Sequence, residues 1–133
     1  MTGKFTSIAG FLGFLGVNLG AFGAHGLENR LIETGYTEVW ETATLYLFVH
    51  VVALLAISLR FSRATLDSLF AWAAWLWIAG IIVFSGSLYV LAISGISKFG
   101  IITPIGGLLF LAGWLCLVVA GIRGGKPSRD GIS

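Results

Sequence analysis

Few side chains in this sequence carry a charge: eight Lys or Arg and six Asp or Glu among 133 residues, or 11%. A soluble domain runs near 25% charged, so the polar groups here are too few to cover a water-facing surface. That shortage excludes a soluble globular fold. Cysteine occurs once, as Cys116 in an apolar stretch, which excludes an internal disulfide and a thiolate cluster for zinc or iron–sulfur. The positive surplus is two charges, too small to suggest a nucleic-acid partner. Phosphate-cradling loops and Ser/His/Asp or Cys/His sets are also missing. Gly-x-x-Gly series near the N-terminus mimic a dinucleotide fingerprint, but no strand precedes them.

What is abundant is apolar surface: 57% of residues, with a mean hydropathy of +0.97. Charge-free runs extend from Phe5 to Leu27, Thr42 to Leu59, Ser68 to Ser97 and Phe99 to Ile122. A membrane-spanning helix needs about 20 apolar residues, and barrel strands would be shorter and alternate. The expectation is an all-α, integral membrane four-helix bundle, one transmembrane domain over 1–133, with helices at 5–25, 37–59, 68–93 and 104–122. Lys4 and the apolar run behind it resemble a signal peptide, but the run is long enough to span. Thr103-Pro104 suits a helix start, a capping hydroxyl before a proline at the first position. Residues 95–103 read as a connecting loop and the segment from Gly124 as a polar tail.

Charge placement orients the bundle. Lys4, Arg60, Arg63, Arg123, Lys126 and Arg129 fall on the side that carries both termini, and Arg30 and Lys98 on the other. Six against two predicts cytoplasmic termini by the positive-inside rule and argues against dual topology. The expected location is a bacterial inner membrane. Glu28, Glu33, Glu38 and Glu41 make the outer side acidic. Trp40, Trp72 and Trp75 sit where interface anchors belong, while Trp77 and Trp114 are deeper and expected to pack.

Nineteen glycines are many for helices. Gly13, Gly16, Gly20 and Gly23 share one broad side of the first helix, and Gly106 and Gly107 begin a second set in the fourth. Small residues let helices approach closely in lipid, so these positions are candidate packing contacts. They serve either one tight bundle or a seam between copies.

Ionisable groups at membrane depth are functional candidates. Glu38, Thr42, Tyr46 and His50 recur every four residues along one slowly turning ridge. With Trp40 at the interface, His50 lies about 15 Å further in. Ser85, Ser87 and Tyr89 are placed to hydrogen-bond that ridge. His50 then reads either as a proton carrier or ligand, or as a neutral histidine bonded across the bundle to a hydroxyl. Asn18 and His25 share a face of the first helix, and His25, Glu28 and Glu41 gather at the outer surface without diagnostic metal spacing. The two histidines lie several turns apart in depth, which disfavours a bis-histidine haem. No mid-membrane carboxylate is available for a drug exporter of the small four-helix type. No metal or other cofactor is expected.

Leu19-Gly-Ala-Phe-Gly-Ala-His-Gly-Leu27, Trp40-Glu-Thr-Ala43 with Tyr46 and His50, Phe84-Ser-Gly-Ser-Leu-Tyr89, and Thr103-Pro-Ile-Gly-Gly107 with Gly113-Trp114 resemble the small membrane proteins of domain of unknown function 423. That group is related to transmembrane protein 256. The resemblance covers almost the whole chain, in order, and implies a four-helix membrane protein. One departure is visible: Leu47 stands where the family pattern has a glutamine before the histidine.

Two functions follow as expectations. The first is a non-catalytic subunit or scaffold in the lipid bilayer, packed by its glycine-rich helices in a homo-oligomer or larger membrane complex. The second is a small transporter, channel or ligand-binding protein using the ridge that ends at His50. No catalytic residue is assigned.

Overall fold

A computed structural model describes residues 2–60 and 68–124. Arg63, Lys126, Pro127, Arg129 and the polar tail beyond Gly124 lie outside the described residues. Four stretches have the length and hydropathy to cross a membrane: Gly3–Ala24, Thr37–Arg60, Ser68–Ser94 and Ser97–Gly124. The elements are α1 (Thr2–Ala24), α2 (Glu28–Thr34), α3 (Thr37–Arg60), α4 (Ser68–Gly80), a π-helical stretch (Ile81–Ser85), α5 (Gly86–Ser94), a 3-10 turn (Ser97–Ile101) and α6 (Thr103–Gly124). All are helical, and the described residues include no strand. This is the all-α, four-span architecture expected of a multi-pass membrane protein.

α1 packs along α3, and α6 along α4, while α3 meets the third span mainly through α5 and the π-helical stretch. Hydrophobic burial cannot drive this association in lipid, so close contact and interhelical hydrogen bonds must. Ala43, Ala73, Ala74 and Ala92 are fully buried. A Cβ at Gly16 would collide with Leu47 and Phe48, at Gly23 with Trp40, at Gly80 with Phe110, and at Gly106 with the Phe84 backbone. Leu47, at the family's glutamine position, is spent on the α1 contact. Hydroxyls lace the same seams. Thr6 donates to Ser58 at 3.1 Å, Tyr89 and Thr44 lie 2.8 Å apart, and Ser85 donates to the Ala43 carbonyl at 2.7 Å. Each such bond contributes about 0.6 kcal/mol in a bilayer.

Two features of the backbone depart from the sequence expectation. The stretch between the first two spans holds a short helix, α2. It ends in a left-handed Gly35 (φ 75), with Gly35 N–H donating to Ile32 O and Tyr36 N–H to Leu31 O, a closure that suits glycine. Its Leu31 is buried. Arg30 Nε donates to Ile93 O at 2.9 Å and Thr34 to Ala92 O at 2.9 Å. α2 therefore caps the carbonyl end of α5, where a cation also suits the helix dipole.

The other departure lies inside the third span, which is not one regular helix. Its π-helical stretch packs against α6 with the Phe84 backbone facing Gly106, and it follows directly on Gly80, which faces Phe110. Such stretches frequently mark functional positions.

Trp40 is not an interface anchor. It is 3% exposed, stacks edge-on against Tyr89 at 4.5 Å, and donates its indole N–H to Leu19 O at 2.9 Å. The space left by Gly23 admits the ring. Trp72 and Trp75 are exposed as expected, and Trp77 is fully buried. Trp114 packs on one side only. The Thr103 hydroxyl lies 2.6 Å from Ser87 Oγ, so it joins α6 to α5.

Candidate functional site

His50 sits near the middle of α3, about 15 Å from the Arg60 end at the usual helical rise. Its side chain is 3% exposed. Both ring nitrogens are engaged. Nδ1 lies 2.7 Å from Tyr46 O one turn back, and the Trp114 indole N–H donates to Nε2 across 3.0 Å. A carbonyl only accepts and an indole N–H only donates, so these partners fix the neutral Nδ1–H tautomer. Phe110 covers one face of the imidazole, with centroids 3.6 Å apart and planes 8° apart. Trp77 approaches its edge at 6.1 Å.

The ridge does not form a polar path. Glu38 and Thr42 are exposed on the outside of α3 and Tyr46 is 41% exposed, whereas His50 turns inward. Ser85, Ser87 and Tyr89 bond elsewhere: to the Ala43 carbonyl, to Phe84 O and Thr103, and to Thr44. Ser85, the last residue of the π-helical stretch, reaches α3 at the Ala43 carbonyl, one residue along from Thr42 of the ridge.

The outer-surface candidates stay apart. Asn18 donates to Phe14 O in its own helix, and His25, Glu28 and Glu41 are exposed. Among the described residues no three His, Cys, Asp or Glu side chains gather at metal-ligating distance. Glu41 instead rims a cavity of about 210 Å³ between α1 and α3, with Gly20, Gly23, Trp40 and Thr44.

Of the packing glycines, Gly13 and Gly20 face Val51 and Thr44 at ordinary contact, Gly16, Gly23 and Gly106 are tight, and Gly107 faces open space. That opening belongs to a larger cavity of about 520 Å³ between α3 and α6, bordered by Tyr46, His50, Phe84, Phe110 and Trp114. Phe110 is not singled out by the sequence, and Phe84 enters only as the head of a family motif. The available signal was the spacing Gly107, Phe110, Leu111, Trp114, which sets one face of a helix.

The family model for a protein of unknown function (DUF423) matches residues 19–107. The chain is 50% identical over 105 residues to the UPF0382 membrane protein SSP2132 of Staphylococcus saprophyticus, covering 79% of this chain and 85% of that one. It is 41% identical over 109 residues to the UPF0382 membrane protein YwdK of Bacillus subtilis, covering 82% and 88%. No solved structure matches it. Four membrane-length helices, a family match over residues 19–107 and 50% identity along most of the chain to a bacterial membrane protein lead to one assignment: this chain belongs to the DUF423 family of membrane proteins.

Proposed function

We propose that the protein is a non-catalytic membrane subunit that works by association, with copies of itself or within a larger membrane complex. One observation carries this reading: the mid-membrane polar group, His50, is held by Tyr46 O and Trp114. An imidazole so engaged offers neither nitrogen to a proton path. Serine and tyrosine hydroxyls of the third span are likewise bonded within the chain. The tight glycines close the bundle itself, so association would use outward faces. There Gly10 on α1 and Gly121 on α6 stand in open space. From the six-to-two distribution of basic residues we also infer that both termini are cytoplasmic.

Native mass spectrometry from native membranes, after mild detergent extraction, tests the association. The expected species is a defined oligomer or hetero-complex that Gly10→Leu or Gly121→Leu weakens. A monomer under every gentle condition would overturn the reading. The transport alternative predicts that His50→Leu changes proteoliposome flux, whereas the association reading predicts no change.

A further inference from the structure

The α3–α6 cavity has the attributes of a ligand site that is reached through the bilayer. Its volume of about 520 Å³ falls within the roughly 300–1,000 Å³ of small-molecule sites, which favour gaps between helices of bundles. Leu108 and Leu111 on its wall are exposed, so it opens sideways on the surface that faces hydrocarbon. None of its nine lining residues carries a formal charge. A ligand arriving by that route must be uncharged, because charge is costly at this depth.

The lining narrows the chemistry further. Five rings converge on it: Tyr46 lies 4.7 Å from Phe84, His50 3.6 Å from Phe110, and Trp114 5.8 Å from His50. Aromatic faces and edges favour a flat π-system in stacked or edge-on geometry. The His50 and Trp114 nitrogens already serve each other. The Tyr46 hydroxyl has no bond partner among the described residues, so the polar group that remains is an O–H able to donate. Gly107 borders open space, for a Cβ there would meet nothing within 4 Å. We propose that this groove binds an uncharged, lipid-soluble ligand with a flat conjugated ring bearing a carbonyl acceptor, a quinone-type ring, which stacks on the aromatic lining and accepts from Tyr46. The site is independent of the association reading: binding by a monomer would separate the two.

The test uses the full chain in phosphatidylcholine nanodiscs, titrated with a short-chain prenyl benzoquinone and read by tryptophan quenching. Trp114 lines the groove, so the expected result is saturable quenching. Gly107→Leu should weaken it about tenfold or more by occupying the volume. Tyr46→Phe should weaken it about fivefold, the worth of one net hydrogen bond. Circular dichroism checks that each variant folds. Should Gly107→Leu not fold, Leu111→Trp on the exposed wall provides a second blockade. Non-saturable quenching that is equal in the wild type and the blocked variant overturns the proposal. So does a retained phospholipid, seen by native mass spectrometry, that the quinone does not displace, since the groove would then be an acyl-chain site.

Discussion

The indole N–H of Trp114 on α6 donates to His50 Nε2 on α3 across 3.0 Å, 64 residues apart in sequence. This bond links two spans that otherwise leave a cavity between them. It also stops His50 from protonating at Nε2 without setting one donor against another. Trp114→Phe keeps an aromatic ring, though a smaller one, and removes the donor. It should lower stability by about 1 kcal/mol, at the upper part of the range for bonds between membrane helices. In a double-mutant cycle with His50→Leu the coupling should reach about 0.5 kcal/mol or more. Thermal unfolding in detergent followed by circular dichroism measures it, and strictly additive losses would show that the bond contributes nothing.

Gly106 and Gly107 are neighbours with opposite surroundings. A Cβ at Gly106 runs into the Phe84 backbone, which cannot rotate away, while one at Gly107 meets open space. Gly106→Ala should therefore cost about 1–3 kcal/mol through overpacking. Gly107→Ala should be neutral or stabilise by up to about 1 kcal/mol from helix propensity. Equal effects in the same unfolding assay would mean that α6 does not approach the third span at Gly106.

The four spans were legible because each is an unbroken apolar run of sufficient length, a property local to the sequence. α2 was not, because Glu28, Arg30 and Glu33 make seven residues read as a polar loop. What fixes that helix is the burial of Leu31 and the reach of Arg30 and Thr34 to carbonyls at Ile93 and Ala92. His50 was visible as a polar group at depth, and a neutral, bonded histidine was one of its two readings. The sequence suggests a hydroxyl partner, and the partner is an indole. Which residue of α6 lies level with His50 depends on where two helices cross, and no single-helix pattern contains that. Depth alone sets Ser85, Ser87 and Tyr89 level with the ridge, and depth does not tell that they bond the Ala43 carbonyl, Thr103 on α6 and Thr44 instead.

Arg30 tests whether α2 is a cap. Arg30→Gln shortens the reach to Ile93 O and removes the cation from the carbonyl end of α5. The expected loss is about 1 kcal/mol, with faster amide exchange confined to residues 91–96. Exchange spread evenly over α3 and α6 would mean that Arg30 supports the whole bundle rather than one helix end.

Orientation can be read by chemical access. In a Cys116→Ala background, Glu33→Cys lies on exposed α2 and Lys4→Cys on the exposed start of α1. The two positions fall on opposite sides if α1 spans. With cytoplasmic termini, a membrane-impermeant maleimide should label position 33 in intact cells and position 4 only after permeabilisation. Lys4 also lies 4.9 Å above the Trp75 ring, so its replacement removes a cation–π contact of about 0.5–1 kcal/mol and one basic residue, which leaves the positive-inside bias with the same sign. The reverse labelling would overturn the orientation inferred from basic residues. Equal labelling of both positions in intact cells would show that the chain inserts both ways, despite the six-to-two bias.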